Sequence, residues 1–346
     1  MRRVRTAVTL LPYALVVLLA VGLAIAGRLS TPDAVRVASS TPTAAVASPT
    51  AAVASPTASV VSSEIATPAA ASASPSATAS ASPSASQTAS PTTSSLANDA
   101  SEMLRVHNAL RAAVGAPAVR ADDRVTAAAQ RHAEYLARND ALGHDEVPGA
   151  PGFSGVFVRD RLAAQGYSDA NASEVATSFT SGTDGVRSLW VLPYHRLGLM
   201  HPEAVVAGWG HAEISGRSIT VGVIVYDFAA PAPDRVRAPA PDQRVAGAYS
   251  GEEIPDVLPA GASRPVGYPI MVVYSSARAV DLRSARLVQV GGPDFAYHVV
   301  PQLYERDYVA VIPAAPLTPG ARYRVRLELT VAGADVVEEW EFQAER

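Results

Sequence analysis

The chain has 346 residues and a net charge of −4, with 28 basic residues against 32 acidic ones. It contains no cysteine, which excludes disulfides, thiolate metal sites and thiol nucleophiles. All 28 basic residues are arginine, which excludes lysine Schiff-base chemistry and the phosphate-binding lysine of P-loops. Any chemistry must therefore rest on Ser, Thr, His, carboxylates or a bound metal.

Residues 1–29 are typical of a membrane-targeting segment. Three arginines within the first five residues precede an uncharged apolar run, residues 7–26, which at about 1.5 Å per residue is long enough to cross a bilayer. We predict an uncleaved signal anchor, so that the membrane is a partner; the alternative is a signal peptide cleaved after Ala26. In both cases the arginines stay inside and the rest of the chain is extracytoplasmic, and secreted if it is cleaved.

Residues 30–98 predict a disordered stalk. They consist almost entirely of Ala, Ser, Thr, Pro and Val, and contain a direct repeat at 43–49 and 50–56. Such a composition is too poor in large apolar side chains to form a core, and its prolines favour extended backbone. Beyond the stalk, 23 Arg against 30 acidic residues give −7, which argues against nucleic acid as a partner.

Residues 99–229 predict an α+β domain, because helical spacing comes first and strand alternation follows. We predict four helices: from a capping box at Asp99 and Glu102 to Gly115, from Asp122 to Asn139, from Val156 to Gln165, and from Asp184 to a break near Pro193. Two strands are predicted at Val205–His211 and Ile219–Phe228.

Six of the seven histidines fall in this domain, and they are its main chemical signal: residues 107, 132, 144, 195, 201 and 211. His107 and His132 lie inside predicted helices, where a hydrogen-bonded core histidine is expected. His201 and His211 are expected at the surface. His144 and His195 follow helix ends and Glu174 lies in a predicted loop between them, so these side chains can converge on a cleft.

Several short segments of this domain also resemble a known family. They are VHNALRAAVG with Asn108 and Arg111, VTAAAQRHAEYLA at 125–137, Gly143-His144, RLAAQGY at 161–167, Ser173-Glu174, Trp190 with PYHR at 193–196, and VAGWGHA at 206–212. In this order, over about 130 residues, they are similar to the CAP superfamily (cysteine-rich secretory, antigen 5 and pathogenesis-related 1, or SCP-like) in its exported bacterial form.

The resemblance implies an α-β-α sandwich with a cleft of two histidines and two acids. His144, Glu174 and His195 would be three of the four, with Arg196 beside them. The second acid is expected near Trp190, but Val191, Leu192 and Pro193 stand there. Alternatively, His195 and Arg196 simply tie the end of the fourth helix to a neighbouring loop.

From this set we expect a ligand-binding cleft with no catalytic residue. The ligand would be a small apolar molecule, a cell-wall polymer or other wall component, or a divalent metal such as zinc held by His144, His195 and Glu174. The missing acid removes the obvious general base, so the enzyme question stays open and leans towards no. One alternative is a metal-dependent hydrolase or peptidase of the envelope, and another is a non-catalytic structural or adhesion protein.

The remainder of the chain predicts a linker and an all-β domain. Residues 230–246 are rich in proline and predict an extended linker. Residues 247–346 alternate with period two and predict five strands: Tyr268–Tyr274, Ser284–Val290, Tyr308–Ile312, Tyr323–Val331 and Val336–Phe342. They resemble the immunoglobulin-like extension that follows some bacterial CAP domains, for which a β-sandwich serving as spacer or adhesion module is the default.

Overall fold

The computed structural model describes residues 93–251, 253–275 and 278–346. The predicted membrane span at 7–26 and nearly all of the predicted stalk lie outside them. Within the described part, no helix is both long and apolar enough to cross a membrane.

The first domain is built from five helices and one three-stranded antiparallel sheet. The helices are α1 (Thr93–Ala113), α2 (Asp123–Arg138), α3 (Val158–Ala164), α4 (Gly182–Val191) and α5 (Pro193–Met200). The strands are β1 (Asn171–Thr177), β2 (Ala204–Ile214) and β3 (Arg217–Tyr226), in the order β1-β3-β2. This mixture of helices and strands agrees with the α+β prediction.

Helices cover both faces of this sheet. On one face Val206, Val221 and Val223 pack in a common core with Val125 and Leu136 of α2. Gly208 and Gly210 permit this contact, because a Cβ at either position would lie 2.4 Å from the backbone of α2. The opposite face forms a second core with α1, α4 and α5. The layers are therefore helix, sheet, helix, as the resemblance implies.

Three elements differ from the sequence predictions. Helix α1 begins at Thr93, so Asp99 and Glu102 lie within it rather than forming a capping box. Proline does break the helix that contains Trp190, but Pro193 then occupies the first turn of a new helix, α5, where its missing amide costs nothing. Glu174 lies in strand β1 and not in a loop.

In the described residues of the second domain, nine strands form two sheets. The strands are β4 (Arg235–Ala238), β5 (Arg244–Val245), β6 (Ile270–Tyr274), β7 (Val280–Gln289), β8 (Asp294–Phe295), β9 (Tyr297–Val299), β10 (Tyr308–Pro313), β11 (Arg322–Val331) and β12 (Ala334–Ala344). The four-stranded sheet has the order β4-β6-β10-β9, and the five-stranded sheet the order β5-β12-β11-β7-β8. Buried residues of β6 and β10 meet those of β7, β11 and β12 in one core, which makes a β-sandwich.

The four-stranded sheet also packs on the first domain. Ile270 and Val272 of β6 face the sandwich core, whereas Met271 and Val273 belong to the core that contains Trp190 and Leu197 of the first domain. Both faces of this sheet are thus buried. The segment 230–246 contributes to this packing: it contains β4 and β5, and Val236 and Val245 are buried. The structure therefore differs from the predicted extended linker, because the prolines of this segment flank β4 and β5, which pair with strands of the sandwich.

Candidate functional site

The predicted cleft residue Glu174 lies at the centre of a buried ionic cluster. Its Oε1 lies 3.1 Å from His144 Nδ1 and 3.3 Å from His132 Nε2, and its Oε2 accepts a hydrogen bond of 2.7 Å from Arg161 Nη2. Each oxygen of Glu174 therefore has at least one nitrogen partner. The structure thus brings two of the three predicted ligands, His144 and Glu174, together.

Arg161 positions this cluster from helix α3. Besides Glu174, its guanidinium donates to the backbone oxygens of His144 at 2.9 Å, Gly155 at 3.1 Å and Val156 at 3.0 Å. One buried side chain therefore fixes both the carboxylate and the loop that carries His144. Arg161 belongs to the RLAAQGY segment, in which nothing indicates that its side chain is buried against an acid of another element.

His132 has an oxygen partner at each of its ring nitrogens. Its Nδ1 lies 2.9 Å from Glu146 Oε1 and its Nε2 lies 3.0 Å from the carbonyl oxygen of Gly143. Glu146 itself accepts hydrogen bonds from the amide of Ser154 at 2.5 Å and of Gly155 at 3.3 Å, as a carboxylate does. The expected core histidine is thus held by a buried acid and a backbone carbonyl group.

Basic side chains set the protonation of the acids in the cluster. Burial alone would raise the pKa of Glu174, but His132, Arg161 and the hydrogen bond from His144 lower it to about 2. Burial likewise opposes ionisation of Glu146, while His132, Ser154 and Arg161 hold its pKa below the usual value. Two carboxylates therefore face one guanidinium and two imidazole rings, and His144, at 11% side-chain exposure, is the member nearest to solvent.

The third predicted cleft residue, His195, has a partner from the second domain. Its Nδ1 lies 2.7 Å from Oε1 of Glu253, and the amides of His195 and Tyr194 donate to the same carboxylate at 3.2 and 3.1 Å. These amides belong to the first turn of α5, and Leu192 at its N-cap has no side-chain oxygen to receive them. Glu253 therefore caps α5 and supplies His195 with an acid that the preceding helix lacks. His195 lies in a helix, and not in a loop as predicted.

Arg196 joins helix ends and both domains. Its guanidinium donates to the carbonyl oxygens of Trp190 and Val191 at the end of α4, the latter at 3.1 Å, and to Pro269 of the second domain at 2.9 Å. It also lies 4.7 Å from the ring centre of Tyr268. This geometry matches the alternative in which Arg196 ties the end of the fourth helix to a neighbouring segment. A buried arginine that donates to three carbonyl groups is not available to a ligand.

Two other histidines are also engaged. His107 lies between two tryptophans, accepts from Trp209 Nε1 at 3.4 Å and donates to Leu199 O at 2.9 Å, and burial lowers its pKa to about 3. It is therefore neutral. His201 was expected at the surface but is buried, with Nε2 3.1 Å from Asp307 Oδ2 of the second domain. Its ring also packs on Tyr226 of β3. His201 therefore lies at the contact between the two domains.

The zinc ligands predicted from the sequence have the following contacts. Both Glu174 oxygens face donors, and Nδ1 of His144 and of His195 each faces a carboxylate, which is a contact that metal-binding histidines also make. In the described ranges no group of three or more His, Asp and Glu side chains is arranged to hold a metal ion.

Comparison with known proteins finds a family match within the first domain. The family model "Cysteine-rich secretory protein family" (CAP) matches residues 104–226. No curated protein sequence matches the chain significantly.

Solved structures with similarity include three from bacteria. An extracellular protein with an SCP domain from Bacillus anthracis is 16% identical over 38% of this chain and 41% of its own, with a TM-score of 0.32. An outer surface protein from Borrelia burgdorferi is 16% identical over 36% of this chain and 90% of its own, with a TM-score of 0.32. CopC from Methylosinus trichosporium is 14% identical over 32% of this chain and 88% of its own, with a TM-score of 0.22. On the family match and the ordered segments, residues 104–226 form a domain of the cysteine-rich secretory protein (CAP) family.

Proposed function

We propose that the protein is an exported envelope protein whose two joined domains bind a cell-wall component without catalysis. The apolar run at 7–26 and the proline-rich segment at 30–98 support this assignment as anchor and spacer. The spacer would carry the folded domains away from the membrane to the wall.

One observation carries the non-catalytic assignment, namely the engagement of Glu174. A general base works best when its pKa lies near the working pH and when it can reach a substrate proton. Glu174, with a pKa of about 2 and hydrogen-bond partners on both oxygens, meets neither condition. Glu174 therefore serves as a structural counter-ion, and the ligand is bound rather than transformed.

His144 is the group of this cluster that a ligand would contact. It is the most exposed member, and it lies on the loop between α2 and α3 that also presents the exposed side chains of Phe153 and Phe157. A loop that carries an imidazole and two exposed aromatic rings suits a partner with both polar and apolar parts. A wall component, such as a peptide, fits this surface better than a purely apolar small molecule.

A sedimentation assay with isolated cell walls tests this proposal. The full chain should co-sediment with walls, and His144→Ala should bind at least about fivefold more weakly, as expected for loss of about 1 kcal/mol. The matched control is His298→Ala, a histidine of the second domain. Failure of the wild type to sediment, or equal loss in the control, would overturn the proposal.

The same samples separate the alternatives. If the supernatant gains soluble wall fragments, and His144→Ala abolishes their release, the envelope hydrolase hypothesis replaces ours. If chelation abolishes binding and zinc alone restores it in the wild type but not in His195→Ala, the zinc hypothesis replaces it. We expect no fragment release and no effect of chelation.

A further inference from the structure

A second candidate binding site lies at the edge of the first domain's sheet where β1 and β2 begin and β3 ends. There a pocket of about 480 Å³ opens between the loop before β1, the end of β3 and the start of α2. Its volume falls within the range of roughly 300–1,000 Å³ that small-molecule sites occupy. The side chains that decide its chemistry are Arg120, Arg124, Tyr167, Asp169, Asn171 and Phe228.

Polar side chains in the pocket are available to a ligand. Within the described part of the chain, no hydrogen bond or ion pair engages the side chains of Asp169 and Asn171. Arg120 is 65% exposed and lies at 4.0 Å from Asp122. The pocket thus offers a carboxylate that accepts, a guanidinium that donates and an amide that does both.

An aromatic surface lies beside these groups. Phe228 is 38% exposed and stacks on Tyr226 with ring centres 5.9 Å apart and planes 4° apart. Tyr226 therefore supports one face of Phe228 and holds the ring in place. Tyr167 is held similarly, because the Arg124 guanidinium lies 4.6 Å from its ring centre.

Charge in the pocket selects the class of ligand. Arg120 and Arg124 are matched by Asp169 and Asp227, so the lining favours neither an anion nor a cation. A neutral ligand that donates and accepts several hydrogen bonds, and presents an apolar face to a ring, satisfies all of these features. We propose that this pocket binds a neutral saccharide, with one sugar ring lying on Phe228 and its hydroxyl groups bonded to Asp169, Asn171 and Arg120.

This inference does not depend on the function proposed for His144. The pocket lining and the Glu174 cluster share no residue. Saccharide binding here should therefore be unchanged in His144→Ala, and wall binding through His144 can fail while this proposal holds.

Calorimetric titration of the full chain tests the proposal directly. The probes are three neutral trisaccharides that differ in their sugar: cellotriose, maltotriose and triacetylchitotriose. We expect saturable binding of at least one, weakened about tenfold or more by Phe228→Ala and by Asp169→Asn. The matched control is Phe179→Ala, which removes a ring of similar exposure, 36%, outside the pocket.

The following binding results would overturn the proposed saccharide site. No saturable binding of any of the three probes, or equal weakening by Phe179→Ala, contradicts a saccharide site in this pocket. Binding of inorganic phosphate that requires Arg120, without binding of the trisaccharides, assigns the pocket to an anion instead. Unchanged thermal unfolding of the variants shows that the exposed substitutions leave the fold intact.

Discussion

Glu174 illustrates how one carboxylate can organise a domain at the scale of a single residue. It is buried against Arg161 and His132, and its Oε1 lies 3.1 Å from His144 Nδ1, which orients that ring. Burying such charges is costly, so the cluster is stable only when every partner is present. This dependence makes the residue a sensitive point of the fold.

Glu174→Gln should therefore destabilise the protein. The amide keeps the size of the side chain but removes the closest counter-ion of Arg161 and leaves Glu146 as the remaining acid beside His132, which should lower the free energy of unfolding by about 3 kcal/mol. Urea unfolding measures this loss. The control Glu341→Gln removes an acid that pairs with Arg322 and Arg324 at the surface and should leave the unfolding midpoint unchanged. Equal effects of the two substitutions would contradict the argument.

Stability should also depend on pH through this residue. The pKa of Glu174 is lowered from its usual 4.5 to about 2 in the folded protein, so the unfolded chain takes up the proton first as pH falls. Its contribution to stability is complete above about pH 4.5 and is lost as pH falls towards about 2. Urea unfolding at several pH values should show a shallower decline in Glu174→Gln than in the wild type; parallel curves would refute this assignment.

Glu253 is a second buried acid whose removal should destabilise the fold. Glu253→Ala removes the cap of α5 and the partner of His195, and should cost about 2 kcal/mol of unfolding free energy. Hydrogen exchange of the Tyr194 and His195 amides should accelerate more than exchange in α2. The control Glu345→Ala, an exposed acid near the C-terminus, should change neither quantity. Unaltered exchange at these two amides would show that Glu253 does not cap the helix.

Helices and strands were predicted correctly from the sequence where their bounds depend on neighbouring residues. Helix α2 begins after Asp122 and ends before Asn139, as predicted, because its N-cap and its C-terminal residue act on their own neighbours. Helix α5 was missed because proline both ends one helix and starts the next, and only packing decides between the two roles. Strand β1 was missed because its residues are buried on both sides and show no alternation.

The hairpin of β11 and β12 turns at Ala332 and Gly333, between the two strands predicted for this region, and it suggests a stabilising change. Ala332 and Gly333 both have positive φ, 48° and 83°, which is the two-residue turn that favours Asn followed by Gly. Alanine adopts this conformation at a cost, so Ala332→Asn should raise the free energy of unfolding by about 0.5 to 1 kcal/mol. Ala334→Asn, in the adjoining strand, is the control. A lower midpoint in thermal unfolding of Ala332→Asn would show that turn geometry is not limiting.

At the scale of the whole molecule, the second domain completes a hydrophobic core of the first domain. Strands β6 and β10 bury one face in the sandwich and the other against the CAP domain. The uninterrupted apolar run Ile270–Tyr274 was the sequence signal for burial on both faces. The pairing of His195 with Glu253, 58 residues away, gave no such signal, because contacts between distant segments depend on the tertiary fold.

Truncation after Ala229 tests whether the first domain depends on the second domain for its packing. The shortened chain keeps every CAP-domain strand but loses Glu253, Asp307 and the sheet that covers the Trp190 side of the core. For the full chain the account predicts one cooperative thermal transition in near-ultraviolet circular dichroism. For the truncated chain it predicts a weak near-ultraviolet signal and binding of a hydrophobic dye. A truncated protein with the full near-ultraviolet signal of its tryptophans and an unchanged midpoint would contradict the account.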